Sequence, residues 1–328
     1  MQTTSSNIEW ASRSSDPTDE TFGELVEPVA TDDLDSVKAV LVGEPFDAAV
    51  IGRTGASEGP DAIRDSLAGA KTHHFDAGPC SALQVGDYGN VSLATAETGT
   101  PAATDDTELT TIRSAVEPVA RAVHDSSATP IFLGGDNSLT VPNVRPLLER
   151  GDAVGVINLD AHLDVRHVHD GPTSGTPYRE LLESGLDTYT CVGARHFETS
   201  TAYASFLEGQ GGEIVTAASV GSDLDGAVSR VLESVADVDT VYLSIDCDVL
   251  DAVHAPGVSA PTPGGLTTRE LFELVRRVAS HDTDRLAGVE IVECAPPLDE
   301  GQRTVTAAAR TVAHALVGLV QASGGELR

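Results

Sequence analysis

The sequence contains very little lysine. Its 20 basic residues include only two lysines, Lys38 and Lys71, against 51 Asp and Glu, and the formal net charge is −31. This acidic excess is spread along the chain, whereas a solvating or interaction segment would gather it in one tail. Such self-repulsion is screened at very high salt, so the composition favours a halophilic source. The same charge argues against nucleic acid or an anionic membrane as a partner.

Long apolar runs and closely spaced cysteines are also lacking. No run reaches the roughly 18 apolar residues that cross a bilayer, and the polar first twenty residues have no signal-peptide core. We therefore expect a soluble, cytoplasmic protein. Four cysteines, far apart and without a CxxC pair, are expected to be reduced and packed: Cys80, Cys191, Cys247 and Cys294.

What is present is a regular alternation of apolar runs and amphipathic segments from residue 36 to residue 328. Runs such as "AVGVINLD" and "VYLSIDCD" are apolar throughout, which favours a parallel sheet covered on both faces. We predict a single α/β domain with three α/β/α layers and a mainly parallel sheet. Residues 1–35 are acidic and lack periodicity, so we interpret them as a flexible N-terminal arm.

Three polar clusters directly follow candidate strands: "LGGDNS" (133–138), "NLDAHLD" (158–164) and "SIDCD" (244–248). In open parallel sheets ligands bind outside the carboxyl ends of the strands, so the clusters are predicted to share one site. Asp160, His162 and Asp164 alternate along an extended segment, as do Asp246 and Asp248. Each cluster alone could consist of solvated acids at a strand end, but grouped carboxylates are costly to bury without a cation.

The ligand types indicate the metal. Oxygen ligands with one imidazole suit Mn²⁺ or a similar ion better than zinc, which draws more nitrogen or sulfur. Four aspartates are more than one ion needs, so we expect two metal ions. Such a pair makes hydroxide available near neutral pH.

These clusters, with "GEPFDAAVIGRTGASEGPDAIR" (43–64) and "VEIVECAPPLD" (289–299), occur in the order typical of the ureohydrolases, the family of arginase, agmatinase and formimidoylglutamase. The chain resembles that family over most of its length after residue 40. The resemblance implies an arginase-like fold, two manganese ions per subunit and a homo-oligomer. It further implies that Asp160 and Asp246 bridge the metals, that Asp164 binds one metal and the hydroxide, and that His162 and Asp248 bind the other metal. Glu293 matches the glutamate that holds the amidinium-like end of the substrate.

The sequence departs from the family pattern at two positions. Asn137 stands where the first motif usually has a histidine, and an amide oxygen is a poorer Mn²⁺ ligand, so the first metal site is expected to be weakened. Ser174 stands before Gly175 where arginases and agmatinases tend to have a histidine. The segment "TSGTP" resembles the formimidoylglutamase branch instead, which makes Ser174 a candidate substrate-binding residue.

The resemblance therefore implies hydrolysis of N-formimidoyl-L-glutamate to L-glutamate and formamide, a step of histidine degradation, with Asp164 and Glu293 as catalytic residues. A substrate with two carboxylates needs local arginines, and we expect Arg195 to bind one of them. Arg166 and Arg179 also lie near site loops, and His167 or His169 could move protons. An agmatinase or guanidino-acid hydrolase that releases urea is the alternative enzyme. A metal-binding regulatory relative without activity is the alternative outside catalysis.

Overall fold

The computed structural model describes residues 3–92, 105–169 and 171–322. The strands are β1 (Thr3–Thr4), β2 (Val26–Pro28), β3 (Ala39–Gly43), β4 (His73–His74), β5 (Gly78–Pro79), β6 (Val85–Val91), β7 (Thr129–Leu133), β8 (Val154–Leu159), β9 (Thr188–Ala194), β10 (Glu213–Thr216), β11 (Thr240–Asp246) and β12 (Leu286–Val292). The α-helices are α1 (Phe22–Leu25), α2 (Gly59–Ala68), α3 (Asp105–His124), α4 (Thr140–Leu148), α5 (Pro177–Glu183), α6 (Thr201–Gly209), α7 (Ala217–Ser222), α8 (Leu224–Ser234), α9 (Thr268–His281) and α10 (Arg303–Ala322).

One large sheet organises the fold, with strand order β1-β6-β3-β7-β12-β11-β8-β9-β10 and β2 also paired with β6. Its pairings among the described strands are parallel except for that of β1 with β6. The predicted mainly parallel sheet is therefore confirmed. Strands β4 and β5 form a separate antiparallel pair.

Two apolar cores, one on each face of the sheet, explain why the central strands are apolar throughout. In β3, Leu41 belongs to one core, with residues of α2, α8, α9 and α10, whereas Val40 and Val42 belong to the other, with residues of α3, α4 and α5. Successive side chains of a strand point to opposite faces, so a strand buried on both faces has no polar position to alternate with. This arrangement is the predicted α/β/α sandwich.

The structure differs from the expectation of a loosely attached arm at residues 1–35. In its described part, β1 and β2 both pair with β6, and Phe22, Val26 and Leu34 are buried. Trp10 donates from Nε1 to Asp87 Oδ2 at 2.8 Å. The segment attaches because its few apolar side chains, among them Phe22, Val26 and Leu34, pack into the cores, although its overall composition is polar. Its mobility and a domain boundary near residue 36 stay predictions.

Two smaller expectations can also be compared with the structure. The four cysteines are buried free thiols. No α-helix within the described ranges is both long and apolar enough to cross a membrane.

Candidate functional site

Five adjacent strands in the middle of the sheet, β7, β12, β11, β8 and β9, bring the sequence motifs together. Asn137 follows β7, Glu293 follows β12, Asp246 ends β11, and Asp160 follows β8. Parallel strands end at the same edge of a sheet, so residues far apart in sequence meet there.

The same kind of side-chain to backbone hydrogen bond forms a turn in each of the two acidic motifs. Asp160 Oδ1 accepts a hydrogen bond from the backbone N–H of His162 at 2.7 Å, and Asp246 Oδ1 accepts one from the N–H of Asp248 at 2.7 Å. An aspartate that bonds the backbone two residues on forms a turn that keeps alternate side chains converging.

The five predicted metal ligands form two groups that share Asp160. Ligand atoms of Asp160, His162 and Asp248 lie within 4.8 Å of one another, and so do those of Asp160, Asp164 and Asp246. The bridging role predicted for Asp160 and Asp246 stays a prediction, and Asp246 belongs to only one of the two groups. Whether each residue binds a metal remains a prediction.

The shifted pKa values of these groups indicate that they are most stable with a proton or a cation between them. Burial raises the pKa of Asp164 and of Asp246 well above the ordinary range, and neighbouring carboxylates add to both shifts. Burial alone would lower the pKa of His162, but Asp248 and Asp160 outweigh it and raise that pKa to about 12. Carboxylates this close repel one another unless a proton or a cation lies between them.

Glu293 has one oxygen engaged and one available. Its Oε1 accepts a hydrogen bond from the backbone N–H of Asn137 at 3.1 Å, while the buried Oε2 has no partner among the described residues. Glu293 and Asp164 also have positive φ angles, 61° and 46°, which are uncommon for residues other than glycine. Backbone strain of this kind clusters at functional sites, and no sequence pattern predicts it at these two residues.

Asn137 lies beside the second ligand group. Its Nδ2 donates to Asp164 Oδ2 at 2.5 Å, and its Oδ1 accepts a hydrogen bond from the Thr140 hydroxyl at 2.8 Å. The preceding Asp136 fixes the turn, because its two oxygens accept from the N–H groups of Ser138 and Ala49. Asn137 is therefore held within reach of the predicted first metal.

A cavity opens on the predicted ligands His162, Asp164, Asp246 and Asp248 and on Glu293. Its wall also contains Ser174 and Arg166. The Ser174 hydroxyl accepts a hydrogen bond from the Ile51 N–H at 3.0 Å, which ties the two rim loops together. Arg166 crosses above Gly175, where an added Cβ would meet its Cδ at 2.8 Å. The sequence pattern predicts only that Arg166 lies near a site loop.

Arg195 does not lie in the wall of this cavity, and its expected contact with substrate stays a prediction. Its guanidinium is buried and donates to backbone carbonyls of Asp248, Leu250 at 2.7 Å, and Thr262 at 3.1 Å. These contacts hold the loop after β11, and with it Asp248, against the loop at residue 262. Position after a strand gave the correct edge of the sheet but not the direction of the side chain.

Three other candidates also lie away from the cavity wall. Arg179 is buried under the site loop, where its Nε donates to the carbonyls of Val165 and Arg166 at 2.9 Å each. His167 and His169 are exposed, with 5.2 Å between their ring centroids. Their suggested part in proton transfer stays a prediction.

Comparison with known proteins assigns this fold and site to a class. The arginase family model matches residues 37–318, so the chain belongs to the arginase family. It is 55% identical over 313 residues to formimidoylglutamase from Halobacterium salinarum, a match that covers 94% of this chain and 97% of that protein.

Solved structures agree with this assignment. The crystal structure of formimidoylglutamase from Bacillus subtilis superposes with a TM-score of 0.82 at 30% identity and covers 93% of both chains. The structure of Trypanosoma cruzi formiminoglutamase with Mn²⁺ superposes with a TM-score of 0.79 at 25% identity, over 92% of this chain and 99% of that one.

Proposed function

We propose that the protein hydrolyses N-formimidoyl-L-glutamate to L-glutamate and formamide, as a step in histidine degradation. The 55% identical formimidoylglutamase supports this assignment. The observation that carries it in the structure is the charge pattern of one cavity. The lining of this cavity combines acidic residues, Glu293 among them, with the exposed Arg166, whose guanidinium has no partner among the described residues. The substrate has the matching pattern, an amidinium head and a dicarboxylate tail.

The buried donor set fits manganese. Asp160, His162 and Asp248 would hold one ion, and Asp160, Asp164 and Asp246 the other. Three carboxylates with raised pKa values in one buried cluster fit a site for divalent cations better than a packed core. Bound manganese would supply positive charge and lower the pKa of water at the site. Asn137 would complete the weaker position through its amide oxygen.

The residues around the formimidoyl group divide the remaining work. Glu293 Oε2, which has no hydrogen-bond partner among the described residues, accepts a hydrogen bond from the amidinium N–H. This contact holds the reacting carbon in place. Arg166 binds a carboxylate of the glutamate portion, and Ser174 shapes the wall beside it. Asp164 takes a proton from the attacking water as its oxygen bonds to the formimidoyl carbon.

The carbon–nitrogen bond to glutamate then breaks. Asp164 returns its proton to the departing nitrogen, and the remaining proton of the added hydroxyl also ends there. Glutamate therefore leaves as the ammonium form, and the water oxygen becomes the carbonyl oxygen of formamide.

Measurement of the released products with purified protein and Mn²⁺ at high salt tests this function. We expect formamide and glutamate from N-formimidoyl-L-glutamate, and no urea from agmatine or guanidino acids. Urea from a guanidino substrate without formamide would support the alternative ureohydrolase. Bound metal without turnover of any of these substrates would support the regulatory relative.

We further propose a cytoplasmic homo-oligomer adapted to high salt, with a small molecule as its substrate and neither nucleic acid nor membrane as a partner. The net charge of −31 supports the adaptation to salt. Sedimentation in buffers of rising KCl concentration would measure assembly and compactness together.

A further inference from the structure

A single buried hydroxyl joins Asn137 to a carboxylate that the proposed reaction does not use. The Thr140 Oγ1 atom lies 2.8 Å from Asn137 Oδ1 and 2.6 Å from Glu290 Oε1. All three residues are fully buried. A hydroxyl has one proton, so it cannot donate to both oxygens at once.

Glu290 collects donors from two other elements. Ser244 Oγ lies 2.6 Å from its Oε1, while Tyr242 OH at 2.8 Å and Asn143 Nδ2 at 3.2 Å contact its Oε2. Together with Thr140, these groups match the four acceptor positions of an ionised carboxylate. Burial raises the pKa of Glu290, and the hydrogen bonds from these four donors oppose that shift.

The network is aligned with the metal site. Tyr242, Ser244 and Asp246 lie at every second position, on one face of β11. Glu290 lies on β12, three residues before Glu293, which follows that strand. Asn137, Thr140 and Asn143 follow one another at intervals of three on the helical segment after β7, so they share one face. A buried charge such as that of Glu290 contributes little to stability compared with apolar packing. Stability therefore does not explain why a carboxylate stands at position 290.

The direction of the Thr140 proton determines which end of the Asn137 amide faces the metal-binding carboxylates. When Thr140 donates to Asn137 Oδ1, the amide nitrogen points to Asp164, as in this structure. When Thr140 donates to Glu290, its oxygen becomes an acceptor for the amide nitrogen. A half-turn of the amide, which changes its shape very little, then places the oxygen on the side of Asp164.

We propose that Glu290, acting through Thr140, is a positioning residue that turns the amide oxygen of Asn137 toward the first metal. This role rests on the proposed manganese centre. In the metal-bound protein Glu290 would accept the proton of Thr140, and the amide would turn from the orientation seen here to the one that offers an oxygen ligand. The arrangement gives an asparagine the fixed orientation that outer hydrogen bonds give to histidine ligands.

The test is a titration of metal-free protein with Mn²⁺ alone, which follows the loss of the free-ion electron paramagnetic resonance signal. Thr140→Val keeps the shape of the side chain but removes the relay. We expect it to weaken the weaker manganese site roughly 10- to 100-fold, the range seen for outer hydrogen-bond partners of metal ligands. Thr140→Ser keeps the hydroxyl and should bind Mn²⁺ nearly as the wild type does. Thr311→Val, which removes a buried hydroxyl bonded to the Ala307 carbonyl in α10, is the matched control.

Two further variants separate this relay from a general effect on the fold or on charge. In an Asn137→Ala background, Thr140→Val and Glu290→Gln should cause no additional loss of Mn²⁺ affinity, since the amide they orient is gone. Equal losses with and without Asn137 would overturn the proposal, as would a folded Thr140→Val that binds Mn²⁺ with unchanged affinity. A wild-type chain that binds no Mn²⁺ would overturn the metal centre itself and this role with it.

Discussion

At the scale of single residues, we propose that Asn137 determines how firmly the first manganese is held. Replacing it with histidine substitutes an imidazole nitrogen, a better Mn²⁺ donor, for an amide oxygen. We expect Asn137→His to tighten the weaker manganese site severalfold in a metal titration. Asn137→Ala should loosen that site, and an unchanged affinity in both variants would show that residue 137 does not face the ion.

Arg166 is expected to govern substrate affinity rather than metal binding. A charged hydrogen bond contributes about 1.5–3 kcal/mol, so Arg166→Met should raise KM for N-formimidoyl-L-glutamate roughly 10- to 100-fold. Its Mn²⁺ affinity should stay that of the wild type. Arg277→Ala, which breaks an ion pair with Asp225 on the surface, is the matched control. An unchanged KM in Arg166→Met would show that another residue binds the carboxylate.

The contrast between Arg166 and Arg195 shows how far sequence reaches at this scale. The motifs predicted which residues meet, because strand ends fix where a backbone emerges, and Asp160, His162, Asp164, Asp246 and Asp248 do meet. Side-chain direction depends on carbonyls and glycines contributed by other loops. The backbone carbonyls of Asp248 and Leu250 engage Arg195, and Gly175 leaves room for Arg166. No local pattern contains that information.

At the scale of elements, helix α9 begins with a capping box. The Thr267 hydroxyl accepts a hydrogen bond from the Glu270 N–H at 3.3 Å, and the Glu270 carboxylate accepts one from the Thr267 N–H at 2.8 Å. Loss of such a cap costs about 1 kcal/mol, so Thr267→Ala should lower the free energy of unfolding by that amount in a denaturant titration. Thr268→Ala, one residue into the helix, should change it much less. Equal effects of the two substitutions would mean that the cap does not contribute.

The elements that could be predicted are those with a large buried face. Strands β8 and β11 carry continuous apolar residues, and their bounds agree with the runs "AVGVINLD" and "VYLSIDCD" to within a few residues. Helix α6 fully buries only Leu207, with Tyr203 and Phe206 half-buried beside it, so its apolar face is short and weakly marked in the sequence. The buried residues of the segment before β3 are separated by acidic ones, so its composition predicts an arm and does not reveal its apolar contacts.

At the scale of the whole molecule, we expect the acidic cluster to link the proposed binding of manganese to pH. Burial raises the pKa values of Asp160, Asp164, Asp246 and Glu293 in the folded chain. Without metal, their contribution to stability is complete below the ordinary carboxyl pKa of about 4 and is lost as the pH rises through the raised values. Manganese binds the deprotonated groups, so its binding should release protons.

We therefore expect the rise in melting temperature caused by Mn²⁺ to grow as the pH increases from about 5 to 8. Thermal unfolding with and without Mn²⁺ at each pH measures this dependence. Isothermal titration in buffers of different ionisation enthalpy counts the released protons. A Mn²⁺ effect that is constant over this range would show that the cluster is already ionised in the metal-free chain.

The chain has one tryptophan, Trp10, which lies in the N-terminal segment and packs, half-buried, against one of the two cores. Its indole bonds the same Asp87 carboxylate that pairs with the buried Arg64, so its emission reports on the attachment of this segment. Detachment of residues 3–35 would shift the fluorescence to longer wavelength while the circular dichroism of the helices persists. A single coincident transition would show that the segment unfolds together with the sheet, so one intrinsic probe distinguishes a mobile arm from an integral edge of the fold.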